Sequence, residues 1–185
     1  MKSLEEQLLL LQENITHTVY HASNVIEASD MLESNYFKLR HVSSSELPYN
    51  PVSVKKYPYY MSVARTVTST FIKGAMNSSF RLIIEFDGEK LSQNFKGKAV
   101  DWYSGKDERV YGKHQDEAED RLYSKYPNVS NIKKYIRAIH IASSAVKYKE
   151  EYFKKIQHME RNFPIYIYKS SSDMSTLQIK KAERV

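Results

Sequence analysis

His21 stands in the stretch Thr18-Val-Tyr-His-Ala-Ser23, where two β-forming residues, Val19 and Tyr20, run towards a helix cap. Ser23 or Asn24 can cap a helix reaching Leu32, and Glu27 follows Asn24 at capping-box spacing. A strand ending in a sharp turn into a helix puts an imidazole and several backbone N–H and C=O groups at the mouth of a sheet, where a ligand can be held. Three further pieces follow in order. They are Leu39-Arg40, then Tyr59-Tyr60-Met61-Ser62 running into residues 66–71, then Glu117-Ala118-Glu119. Together they supply a guanidinium, flat aromatic rings, a hydroxyl and a pair of carboxylates.

The elements that must position these groups are short. Strands are predicted over 15–21, 36–41, 57–64, 79–86, 118–125, 135–141 and 164–168. Helices are predicted over 3–14, 24–34, 65–73, 146–162 and 173–184, with a helical turn at 89–94 and a turn or short helix at 129–134. Asp87-Gly88 is a turn dipeptide closing the clearest strand. Residues 42–56, with Pro48 and Pro51, read as a polar loop, and 95–114 as loop with short strand. Short strands mixed with short helices, without regular βαβ alternation, argue for an α+β fold. Neither G-x-G-x-x-G nor a P-loop pattern is present, so a Rossmann or P-loop nucleotide site is not expected.

Composition narrows the classes. The 185 residues suit one domain, expected over 1–185, and 41% hydrophobic with 27% charged residues describes a globular protein. No apolar run approaches the ~18 residues of a membrane span, and no leader pattern precedes the first elements, so a cytoplasmic location and no membrane partner are expected. There is no cysteine, which removes disulfides and thiolate chemistry. Six histidines are scattered and no H-E-x-x-H motif is present, so no metal is expected. The net charge of +6 is compatible with a nucleic-acid or acidic partner, and fifteen tyrosines could stack bases or fill half-buried strand positions.

The ordered pieces V-Y-H-A-S, M-L-E-S-N-Y-F-K-L-R, P-Y-Y-M-S-V-A-R-T-V-T-S-T-F and E-A-E resemble the ADP-ribosyltransferases of the histidine–tyrosine–glutamate type, the group that includes the poly-ADP-ribose polymerases. The likeness spans about residues 17–125. It implies a split β-sheet core with surrounding short helices, and NAD as co-substrate. By this resemblance His21 would bond a ribose hydroxyl and the Ala22 backbone would receive the nicotinamide carboxamide. Ser23 and Arg40 would face the adenosine and pyrophosphate side. Tyr60 would stack on the nicotinamide ring, and Glu119 would head a late strand as the principal acid. Glu117, two residues earlier, would project to the same strand face and assist the acceptor, as in the E-x-E pairs of the arginine-modifying branch. Ser62 could equally stand for the serine motif of that branch. Ala22 departs from the family's glycine, and a histidine first motif with E-x-E is a mixed pattern.

The resemblance implies a mono-ADP-ribosyltransferase acting on a macromolecular acceptor, protein or nucleic acid. A module with no long helical segment before the first motif and no attached reader domain is expected. This is the form of a minimal bacterial or phage effector, which for a phage protein would work in the host cytoplasm. Two alternatives share the fold. One is an RNA 2′-phosphotransferase-like NAD enzyme, and the other a non-enzymatic module that grips nucleic acid or a protein.

Overall fold

Asn24, not Ser23, caps the first described helix: its side-chain oxygen accepts the Glu27 N–H at 2.9 Å. Upstream, β1 (Thr18–Ser23) is the strand the Val-Tyr pair predicts, and downstream α1 (Val25–Ser34) buries Val25, Ala28, Met31 and Leu32 along one stripe. The helix ends on Asn35 in the left-handed conformation, φ 53°, which asparagine tolerates better than most residues. Asn24→Ala should lower stability by about 1 kcal/mol, read as a shift in the urea midpoint.

The computed structural model describes residues 18–42, 57–65, 67, 72, 82–100, 119–148, 150–158, 163–175 and 182–184, with backbone alone at 92, 96–100, 119, 120, 148, 171, 175, 182 and 183. The predicted helix 3–14, the loop 43–56, most of helix 65–73 and Glu117 lie outside the described residues. After α1 come β2 (Tyr36–Lys38), β3 (Arg40–His41), β4 (Tyr59–Val63), β5 (Leu82–Asp87), α2 (Gly88–Ser92) and β6 (Lys96–Val100). Then follow β7 (Glu119–Ser124), β8 (Asn128–Ser130), a 3-10 turn (Ile132–Tyr135), β9 (Ile136–Ala142), α3 (Ser143–Tyr148), α4 (Glu150–His158), β10 (Ile165–Tyr168), α5 (Ser171–Ser175) and β11 (Ala182–Arg184). The protein is thus mixed α and β, with several sheets and short helices. Among the described residues no helix is long and apolar enough to cross a membrane.

One sheet runs β1-β5-β9-β10-β11, a second β3-β4-β7-β6, and β2 pairs with β8. The first sheet is antiparallel except where β10 lies parallel to β9. The main core lies between the two sheets: Val19, Ile84, Phe86, Ile139 and Ile141 from the first meet Met61, Val63 and Leu122 from the second, with Leu32 of α1 and Ile156 of α4 closing the side. On its other face the first sheet carries Ala22, Ile83, Ala142 and Tyr168, packed with Ala64, Ile72 and Met174.

Three expectations are corrected. The strand over 36–41 is two strands, because the chain changes partner at buried Leu39, whose N–H donates to the Pro127 carbonyl at 2.8 Å. Asp87-Gly88 opens a helix: Asp87 accepts the Lys90 N–H at 3.1 Å and caps α2. The helix over 173–184 is instead α5, capped by Ser170 through the Asp173 N–H, followed by β11. β11 pairs antiparallel with β10 and satisfies a sheet edge that would otherwise present open ladder groups.

Candidate active site

The two sheets meet at a fork. Tyr20 of β1 and Ala64, just past β4, exchange both backbone hydrogen bonds at 2.8 Å. Because both Tyr20 groups point towards β4, alternation aims the N–H and C=O of Ala22 the same way. Ser62 lies across from them. Among the described residues no backbone rung joins Ala22 to it: the Ser62 carbonyl instead accepts the His21 Nδ1–H at 2.7 Å. The side chain of one strand has taken the place of the next rung, and the sheets part there. An N–H donor and a C=O acceptor on one edge complement a primary carboxamide, which offers one of each.

His21 is well placed to act beside that edge. With Nδ1–H given to Ser62, Nε2 carries a lone pair that can accept from a hydroxyl. The Phe37 ring of β2 and the imidazole meet edge to face, centroids 5.1 Å apart at 89°, which fixes the ring plane. Burial holds this imidazole below its ordinary value of 6.5, against the opposing pull of the Ser62 carbonyl and Glu27. The folded protein therefore keeps His21 neutral where an unfolded chain would already take up a proton. Above 6.5 the group contributes no pH dependence; as pH falls from there towards the depressed folded value, stability is lost. His21→Gln should flatten that part of a melting-temperature profile recorded between about pH 7.5 and about pH 5.

Ser23 is buried, and its hydroxyl reaches the Glu27 carboxylate and the Asn24 carbonyl, both at 3.4 Å. Ala22 is buried against Ile83, so its methyl faces away from the main core while its backbone faces the fork. Arg40 pairs in register with Tyr60, and its guanidinium carbon lies 5.9 Å from the Tyr60 ring centroid.

Tyr60 itself is only 1% exposed, with the Arg121 guanidinium over its ring at 4.0 Å and the Tyr123 ring at 6.1 Å. A nicotinamide stacked on the covered face would displace Arg121. Sequence reading passed over Arg121, whose place beside Ser62 follows from strand register alone.

The backbone of Glu119 begins β7 opposite Val100. Its neighbour Asp120 pairs with Val63, the residue before Ala64. Glu119 therefore stands about two strand spacings, roughly 10 Å, from Tyr20 and the fork. His21, Ala22 and Ser62 are thus brought to one seam, with the start of β7 one strand beyond it and Arg40 and Tyr60 further along β4.

A second polar cluster, also missed from sequence, occupies the far face of the first sheet. His140 is fully buried, with Nε2 3.1 Å from Glu85 Oε2 and Nδ1 2.9 Å from the Tyr168 hydroxyl. The Tyr166 ring stacks on it at 5.4 Å and 16°. Burial, with neighbouring Tyr166 and Glu85, pushes the Tyr168 hydroxyl above the ordinary tyrosine range, so it stays protonated. Burial first, then Glu85, likewise raises Tyr20. The available signal was a lone histidine in the apolar run Y-I-R-A-I-H-I, which must find partners if buried. Nearby, burial pushes the Asp87 carboxyl up, but the Lys90 N–H and the Arg137 guanidinium at 3.3 Å outweigh it and hold the group low.

No family model matches the chain, and a search of curated proteins finds no match.

Proposed function

We propose that this protein is an NAD-dependent mono-ADP-ribosyltransferase with an ADP-ribosyltransferase-like split β core, modifying a macromolecular acceptor in the cytoplasm. The observation that carries the reading is the fork: strand alternation past the Tyr20–Ala64 bridge turns the Ala22 backbone N–H and C=O towards β4, beside a His21 held neutral by burial. That edge suits the nicotinamide carboxamide, and His21 Nε2 suits a ribose hydroxyl.

The bond that breaks joins nicotinamide to the ribose C1′. Nicotinamide leaves with the bonding electrons, and the acceptor nucleophile forms the new bond to C1′ as it loses its proton. Positive charge builds on the sugar in between, and a fixed carboxylate at Glu119 stabilises that charge more than the ground state. Glu117, in the same motif, is the acid proposed to take the acceptor proton. Arg40 brings a charge suited to the pyrophosphate oxygens, and Ser23 lies on that side.

Incubation with NAD and cell lysate, with free nicotinamide quantified, tests the reading. The wild-type chain should release nicotinamide, and His21→Ala should weaken NAD binding as well as turnover. NAD left intact by the wild type across lysates, with binding of a macromolecule that ignores NAD, would instead identify a non-enzymatic module.

A further inference from the structure

Charge on this chain is unevenly distributed. Segments 35–42 and 121–137 hold Lys38, Arg40, Arg121, Lys125, Lys133, Lys134 and Arg137 and not one Asp or Glu. The remaining 160 residues carry 21 basic against 22 acidic side chains, so these two stretches hold +7 and the rest of the chain −1. Tertiary structure puts them side by side. Tyr36 pairs with Ser130 and Lys38 with Asn128, the Leu39 N–H donates to the Pro127 carbonyl, and the Lys133 N–H donates to the Asn35 side chain at 3.2 Å.

The outward side of this junction carries exposed Lys38, Arg40, Lys125 and Lys134. Tyr126, at the turn between β7 and β8, is 71% exposed, and Tyr36 in β2 is 39% exposed. Among the described residues these two are the only large apolar side chains on the surface. The Tyr126 ring thus presents a flat π-face to solvent. Set among lysines, it is what a strand of unpaired bases requires: cations to follow the phosphates and a ring on which a base can stack.

We propose that the β2–β8 junction, with the Lys125–Tyr126 turn at its centre, binds single-stranded nucleic acid. An acidic protein would satisfy the lysines but leaves the two tyrosines without a role, and a duplex keeps its base faces stacked away from them. The surface adjoins the fork, since Phe37, between Tyr36 and Lys38, turns its ring onto His21. That the bound strand is also the acceptor of ADP-ribose rests on the transferase reading; the binding itself does not.

The test is fluorescence anisotropy with labelled oligonucleotides of about ten nucleotides, in the absence of NAD, at about 50 mM and about 200 mM salt. The wild type should bind the single strand, more weakly at the higher salt. Tyr126→Ala should weaken binding roughly tenfold, and Lys125→Ser should reduce the log–log salt slope by about 0.7. Both side chains are exposed, and an unchanged melting temperature verifies folding. Glu119→Gln should bind as the wild type does, which separates failure of binding from failure of catalysis. No binding at low salt, binding indifferent to both surface substitutions, or equal affinity for a duplex or for polyglutamate would each overturn the proposal. With binding present, transfer of labelled ADP-ribose to the bound strand supports its being the acceptor, and transfer only to lysate proteins overturns that clause.

Discussion

Glu119→Gln is expected to lower nicotinamide release from NAD by about a hundredfold to a thousandfold while leaving NAD affinity within a few-fold of wild type. The split between the two quantities follows from when the carboxylate acts. In the ground state the ribose carries little excess charge, and glutamine can still offer a polar oxygen of similar shape. In the transition state the C1′ carbon is cationic, and only an anion stabilises it strongly in a site shielded from water. Loss of turnover with retained binding, measured by single-turnover nicotinamide release and by calorimetric titration of NAD, is the expected signature. Glu117→Gln should lose transfer to the acceptor more than nicotinamide release. If Glu117→Gln removes nicotinamide release while Glu119→Gln does not, the roles of the two acids are reversed; if neither matters, the transferase reading fails.

His140→Ala should destabilise the fold by roughly 3–5 kcal/mol, because it strips partners from the buried Tyr168 hydroxyl and the Glu85 carboxylate and leaves a cavity between them. At this chain length that corresponds to a fall of about 10 °C in melting temperature. Tyr168→Phe removes one hydroxyl and keeps the ring, so it should cost about 1 kcal/mol. Register separates this cluster from the fork. His140 lies level with Ile83 and Ala22, whereas His21 lies level with Ile84, on the opposite face of the same sheet. Nicotinamide release per folded molecule at low temperature should therefore survive His140→Ala. Loss of activity beyond loss of folded protein would instead implicate the cluster in the chemistry.

Much of the secondary structure was legible because it depends on neighbours in the chain. Asn24 and Glu27 sit one helical turn apart and their hydrogen bond closes locally. Val19-Tyr20 and Leu82–Asp87 alternate or cluster as half-buried and fully buried strands do. The reading of 173–184 as one helix failed for the complementary reason. Nothing local distinguishes Ala182–Arg184 from a helical stretch, and it is the open edge of β10 that draws these residues into a strand. The break at Leu39 has the same origin, since the partner on one side is β8 and on the other β4.

By itself, the sequence determined the order of chemically capable residues: a histidine at a strand end, an arginine and tyrosines beyond it, glutamates late in the chain. Those depend on residue identity and on short-range periodicity. Only the tertiary structure decided what stands beside what. The His21 imidazole meets the Ser62 carbonyl across 41 residues, and His140 meets Glu85 across 55. The fork, the Arg121 guanidinium over Tyr60 and the acid-free junction of β2 with β8 are likewise products of strand register. Register is set by which apolar faces can be buried together, and that is a property of the whole core.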